Sequence, residues 1–359
     1  MFVRPSARLA LRISTVAVAA LVAVGCGSDD SSDSSSSSDS KATSDEKTLV
    51  VYSGREKELV EPLYEQFEEA TGVKLEVRYA DSASMAAQLQ EEGENSPADV
   101  FYSQDAGAIG AIEPLLAELP TEVLEKVPAK YRDRENRWIG VTGRVRTLVF
   151  NTDELEESEL PTTVFGVLEP EWKGKVGVAP TNASFIAFIT AMRLELGDDR
   201  AREFLEGLVA NDAKIYEKNG PIVDAVAKGE VPVGLVNHYY LWERKADNPD
   251  LPIENHFFEA QDIGNLVNTS AIGVLATAEH QDEARQLVDF MLAEGQEWIV
   301  NDAPEREYPL SVSTDIADNP RYQELPKLEE IKAPEVDLSD LGAELEATVE
   351  MIRESGLGS

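Results

Sequence analysis

The chain has 359 residues, with 68 Asp plus Glu against 32 Lys plus Arg, a formal net charge of −36, three histidines and one cysteine. A charge this negative repels phosphate backbones and excludes ordinary nucleic-acid binding, while one cysteine excludes an internal disulfide and any multi-cysteine metal site. The 42% hydrophobic share is ordinary for a globular protein, which excludes disorder throughout, and the length suggests about two domains.

Arg4, Arg8 and Arg12 open the chain without an acid among them, and the short apolar run Ile13 to Val24 follows. Ala23-Val24-Gly25-Cys26 closes it. This order predicts a secretory signal peptide over residues 1–25. The cysteine at the cleavage point resembles a bacterial lipobox, which makes Cys26 the lipidated new N-terminus. An ordinary signal peptide with a stray cysteine is the alternative. Residues 26–46 are then dominated by Ser and Asp. They offer too little apolar surface to offset ordering entropy and are expected to form a disordered tether. No other apolar run is long enough to cross a bilayer. The folded body is therefore expected outside the cytoplasm, held to the outer face of the membrane by lipid alone.

Thr48 to Tyr52 reads as a buried strand, and Ser53-Gly54-Arg55 as a turn. Glu56 to Ala70 carries Leu59, Val60, Leu63, Tyr64 and Phe67 at helical spacing. Thr71-Gly72 ends that helix. Val73 to Tyr79 reads as a strand, Ser82 to Glu92 as a helix and Asp99 to Tyr102 as a third strand. Strands alternating with helices predict a parallel sheet with right-handed crossovers.

The pattern returns with a strand over Val176 to Ala179 and helices over Ser184 to Leu196, Arg200 to Val209 and Pro221 to Lys228. Val231 to Val236 reads as a strand and Tyr240 to Ala246 as a helix start. Ala271 to Ala276 is an apolar strand, and helices are expected over Gln281 to Ala293 and Leu338 to Ile352. Two α/β units place a ligand in the cleft between them, near strand ends and helix N-termini.

No catalytic constellation stands out. The chain lacks G-x-S-x-G, Walker, H-E-x-x-H and G-x-G-x-x-G patterns. His238, His256 and His280 do not have metal-ligand spacing. Nothing selects a carboxylate pair, so an enzyme is not expected.

Asn237-His238-Tyr239-Tyr240 is the informative run. With it come, in order, Val51-Tyr52-Ser53-Gly54-Arg55, Pro97-Ala98-Asp99-Val100-Phe101-Tyr102 and Gly143-Arg144-Val145-Arg146. Trp172-Lys173-Gly174-Lys175, Pro180-Thr181, Lys218-Asn219, Gly264-Asn265 and Glu307-Tyr308-Pro309-Leu310 complete the set. Through these anchors the chain resembles the ferric-ion-binding proteins, the solute receptors of iron ABC importers. The resemblance implies the class II periplasmic-binding-protein fold: two interleaved α/β lobes joined by a two-strand hinge, with a ligand cleft between them. Lobe 1 would comprise 47–143 and 270–312, and lobe 2 would comprise 144–269 and 313–355. It also implies a monomer that docks on an ABC permease with its ATPase.

The tyrosine pair makes chemical sense. Fe(III) is a hard cation that prefers anionic oxygen, and phenol must lose its proton to supply it. Adjacent side chains on a regular strand point apart, but at a strand-to-helix turn Tyr239 and Tyr240 can converge. Read without the resemblance, the pair is two packed aromatics. Some members of the family place a histidine where Glu56 stands, so Glu56 is a candidate anionic ligand or an ordinary first-turn glutamate. Gln104 occupies the position of a family glutamate, but it is neutral. A third tyrosine of other members is replaced by Asn182.

The resemblance further implies a synergistic carbonate or phosphate beside the iron. Asn182, Ala183 and Ser184 begin a helix, whose N-terminus suits an anion; a plain helix cap is the alternative. Asn219 and Asn237 match family residues near that anion. Arg144 and Arg146 offer charge, with Arg144 preferred for the cleft and one of the two expected to face solvent or a carboxylate. A receptor of the same fold for another solute, such as a polyamine, a phosphonate or another anion, is the rival reading.

Overall fold

Apolar strands alternating with amphipathic helices build a ten-stranded mixed sheet in the computed structural model, which describes residues 47–358. The expected leader over 1–25, Cys26 and the tether to residue 46 lie outside the described residues. The strands are β1 (Thr48–Ser53), β2 (Lys74–Tyr79), β3 (Val100–Ser103), β4 (Trp138–Asn151) and β5 (Val176–Val178). They continue with β6 (Lys214–Ile215), β7 (Val233–Asn237), β8 (Ile253–His256), β9 (Val267–Val274) and β10 (Tyr308–Pro309). Their order is β2-β1-β3-β9-β4-β7-β5-β6, with β8 and β10 each pairing with β4. The described residues lie within one compact unit, Asp45–Ser359, and no helix among them is long and apolar enough to cross a membrane.

The first half of the sheet follows the sequence reading closely. β1 pairs in parallel with β2 and β3. The helix Lys57–Thr71 buries Val60, Leu63, Tyr64 and Phe67, one face of a 3.6-residue period. It stops at Gly72, whose φ of 74° suits glycine and whose N–H caps Glu68. The helix Ser82–Glu92 is capped by Asp81, which accepts from the Ser84 N–H at 2.8 Å.

β4 links the two halves; the sequence reading set Arg144 and Arg146 on a strand but gave it no bounds. All fourteen of its residues are buried. Trp138 to Val145 pair antiparallel with β9, Arg146 to Phe150 with β7, and Leu148 to Asn151 with β8. The strand thus changes partners between Val145 and Arg146. Burial on both faces erases the alternation that marks a half-exposed strand. Gly140, Gly143, Arg144 and Arg146 also interrupt its apolar run.

Two helices differ from expectation near the C-terminus. The helix over Gln281–Met291 ends two residues early, and a second helix, Glu294–Asn301, follows it. The helix expected over Leu338 to Ile352 is split into a short 3-10 turn, Leu338–Asp340, and the helix Leu345–Ser355. Gly342 lies in the break because its backbone meets that of Gly110. A Cβ at Gly342 would sit 2.2 Å from the Gly110 carbonyl carbon, so only glycine fits this approach. The last helix then anchors through Thr348, which bonds Thr190 at 2.9 Å, and Glu344, which pairs with Arg193 at 3.0 Å.

Candidate functional site

Beneath the point where β4 changes partners, three charged groups are buried together. Arg55 follows β1, Arg144 lies on β4 and Glu307 precedes β10; they are 6%, 2% and 3% exposed. Both Arg55 Nη atoms lie 3.2 Å from the Glu307 carboxylate, and Arg144 Nη2 reaches it at 3.2 Å. Thr142 Oγ1 also donates to it. Burial opposes ionisation of Glu307, but Arg144 and Arg55 outweigh that penalty and hold its carboxyl down to about 2. Glu307 appeared in the sequence only as part of a matched tetrapeptide. Its one local signal was the need of a strand arginine for a carboxylate.

The trio orients Gln104, the residue after β3. Arg55 Nη1 donates to Gln104 Oε1 at 2.9 Å, and Arg144 donates to the Gln104 carbonyl. A guanidinium only donates, so the amide oxygen must face Arg55. The amide nitrogen then faces Tyr239 and donates to its phenol oxygen at 3.1 Å.

The tyrosine pair sits at the strand-to-helix turn that the sequence indicated. β7 ends at Asn237, His238 is the cap, and the helix Tyr239–Asp247 begins. His238 is locked to β4 from both sides. Its N–H donates to the Val145 carbonyl at 2.9 Å, and its Nδ1 accepts from the Val145 N–H at 3.1 Å. Its Nε2 therefore carries the proton and donates to the Arg306 carbonyl at 3.2 Å. Burial pushes the imidazole down to about 4, so it stays neutral. This pinning makes the tyrosines converge. Their ring centroids are 4.3 Å apart with planes at 29°. Tyr239 is 2% exposed, Tyr240 is half-buried, and Arg144 lies 5.8 Å from the Tyr239 ring centroid.

Burial raises the Tyr239 phenol well above its ordinary range; Tyr240 adds to this and Arg144 opposes it. Burial also raises Tyr240, against contacts with Tyr239 and Asn219, while Glu56 and Glu243 push it further up. Both phenols are therefore protonated at neutral pH without a cation.

Arg146 faces a different neighbourhood from Arg144. Its Nη1 donates to Ser184 Oγ at 3.3 Å and its Nη2 to the Leu235 carbonyl at 2.8 Å. Its guanidinium lies over the rings of Phe185 and Phe188 at 5.6 and 5.4 Å. No carboxylate pairs with it among the described residues, and burial lowers it to about 9. Asn182 caps the helix Ala183–Leu196, its Oδ1 accepting from the Ser184 N–H at 3.1 Å and from Ser184 Oγ at 2.7 Å. Asn219 Nδ2 donates to Ser184 Oγ at 2.9 Å. Asn219 Oδ1 and Asn237 Nδ2 are buried without a hydrogen-bond partner among the described residues.

A cleft of about 540 Å³ opens over these groups. Glu56, Gln104, Asn182, Ala183, Tyr240 and Glu243 line it, while Tyr239 lies behind Tyr240 and Gln104. Of the sequence-predicted site residues, the structure thus gathers Glu56, Gln104, Asn182, Ala183, Tyr239 and Tyr240 around one cleft. Ser184, Asn219 and Arg146 stand behind the Asn182 wall, and Arg144 is engaged by Glu307. Arg55, Glu307 and Glu243 were not singled out in sequence. Among the described residues, no three His, Cys, Asp or Glu side chains converge as a metal cage. A hard cation held here needs the phenols.

Residues 95–333 match the family described as bacterial extracellular solute-binding protein. The "Fe(3+)-binding periplasmic protein" of Serratia marcescens is 30% identical over 351 residues, covering 97% of this chain and 99% of that one. The "Major ferric iron-binding protein" of Neisseria meningitidis is 30% identical over 86% of this chain and 93% of its own length. Iron-bound HitA from Pseudomonas aeruginosa superposes with a TM-score of 0.81 at 32% identity, over 87% of this chain and 100% of that one.

Removing one partner of a buried ion group leaves the others uncompensated, so Glu307→Gln should cost roughly 3–5 kcal/mol at neutral pH. Denaturant unfolding measures this. The carboxyl is depressed from 4.5 to about 2 on folding. Its contribution is full above about pH 4.5 and is lost as pH falls through about 2. Wild-type stability should therefore fall more steeply with acid across that window than that of Glu307→Gln. Parallel slopes would remove the trio from this role.

Proposed function

Because the chain belongs to the bacterial extracellular solute-binding protein family, among its ferric-ion-binding members, we propose that it captures Fe(III) outside the cytoplasm and delivers it to an ABC permease and its ATPase. The observation that carries this reading is the stacked tyrosine pair at a polar cleft, pinned by His238 and contacted by Gln104. Two phenolates supply the anionic oxygen that Fe(III) prefers. Glu56, which lines the same cleft, adds a carboxylate. Gln104 acts through Tyr239: its amide nitrogen donates to the phenol oxygen and so favours the phenolate.

Carbonate or phosphate completes the coordination from the Asn182 side. Arg146, rather than Arg144, supplies its charge, because Arg144 is already held by Glu307 and the Gln104 carbonyl. Ala183 and Ser184 at the helix start, with Asn219 and Asn237 beside them, supply polar contacts. The two lobes, 47–143 with 270–312 and 144–269 with 313–355, hinge about β4 and β9. Bound iron favours the closed state by touching both. The protein works as a monomer and is tethered through a lipid on Cys26. Cys26→Ser should move it from the membrane fraction to the soluble one; an unchanged distribution would remove the anchor.

Protein loaded with ferric citrate should be coloured through a tyrosinate-to-iron charge-transfer band. Tyr239→Phe with Tyr240→Phe should abolish the band and the binding. Each displaced phenol proton makes affinity fall about tenfold per pH unit of acidification, so loading should weaken by up to about a hundredfold per unit. A colourless wild type that binds no iron with bicarbonate or phosphate present would transfer the cleft to another solute.

A further inference from the structure

We infer that Glu243, which lines the same cleft as Glu56, is a direct oxygen ligand of the captured iron, an inference that rests on the iron reading above.

The position comes from helix geometry. Residues three apart share a helix face, and Glu243 follows Tyr240 by one such step on the helix Tyr239–Asp247. Its side chain is 30% exposed and lines the same cleft as Tyr240, Glu56 and Gln104. Glu56, at the start of the helix Lys57–Thr71, lines it too.

Glu56, Tyr240 and Glu243 line one cleft, so three side chains that can each carry a negative charge share it. Arg244 relieves part of this through Glu243, but it is shared with Asp224, which it binds at 2.7 Å. Glu56 makes no ion pair with any described residue and caps no N–H of its helix.

A second, independent observation lies beside Tyr240, behind the Asn182 wall. Asn219 is fully buried against Tyr240, and its Nδ2 is engaged by Asn182 and Ser184. Its Oδ1 has no hydrogen-bond partner among the described residues. A buried carbonyl oxygen left without a donor costs free energy unless something at the site meets it. Tyr240, Glu56 and Glu243 thus bring a phenol and two carboxylates to one cleft, with the Asn219 amide oxygen beside Tyr240, and Arg244 is the cation paired with Glu243. Oxygen ligands of this kind suit a hard trivalent ion. Gln104, turned so that its nitrogen faces Tyr239, brings no anionic oxygen to the cleft.

Glu243→Gln in the full chain tests this by two readouts, iron affinity by citrate competition and the wavelength of the charge-transfer band. Loss of even an outer partner of a metal site costs about 10–100-fold in affinity. Glu243→Gln should therefore weaken iron by at least about tenfold and shift the band, because the iron loses an anionic donor while both phenolates stay. Glu243→Asp, which keeps an anionic oxygen, should return the band toward the wild-type position. A coloured wild type with Glu243→Gln unchanged in affinity and band would overturn the inference and leave the iron reading standing. Weaker binding with an unshifted band would also overturn it, since Glu243 would then act through Arg244. A colourless wild type would overturn the iron reading and this inference with it.

Discussion

Two guanidinium groups and one carboxylate lie out of water together under the cleft, and the geometry above them depends on that arrangement. Glu307 alone would be driven neutral by burial; Arg55 or Arg144 alone would be an uncompensated buried cation. Together they are stable, and one Nη of each arginine donates to Gln104. That fixes which end of the Gln104 amide meets Tyr239. Gln104 is thereby a hydrogen-bond donor to the Tyr239 phenol oxygen.

The second constraint is β4. It belongs to both halves of the sheet and changes partners between Val145 and Arg146. His238 clamps that junction with two hydrogen bonds to Val145, and the next two residues are the tyrosines. The site is thus placed where the two halves meet. Arg144 and Arg146 lie two residues apart on one strand, yet they serve different ends. Arg144 closes the ion trio, and Arg146 stands behind the helix start at Ser184. Their common alternation face does not reveal this, because the strand passes from one half of the sheet to the other between them.

Legibility in the sequence followed the physics of each element. The helix Lys57–Thr71 and the strands β1 to β3 could be read because one side of each is apolar and their ends carry Gly72 and Asp81. The extent of β4 could not be read, because it is buried on both faces and carries arginines in its middle. The break at Gly342 is a tertiary effect of Gly110, which local propensity does not contain. At the site, the tyrosine pair was visible as chemistry, but the resemblance was needed to prefer ligands over packed aromatics. Glu307 was hidden by its sequence distance from both arginines. Glu243 had a signal that went unused, its spacing of three from Tyr240 on a helix.

The central claim is that Tyr239 and Tyr240 together hold the metal. A crystal structure of the iron-loaded protein, with the metal located by anomalous scattering, tests it most directly. The account predicts one iron within bonding distance of both phenol oxygens, at the cleft lined by Glu56 and Gln104. Iron held elsewhere, or with neither phenol oxygen bonded to it, would contradict the account.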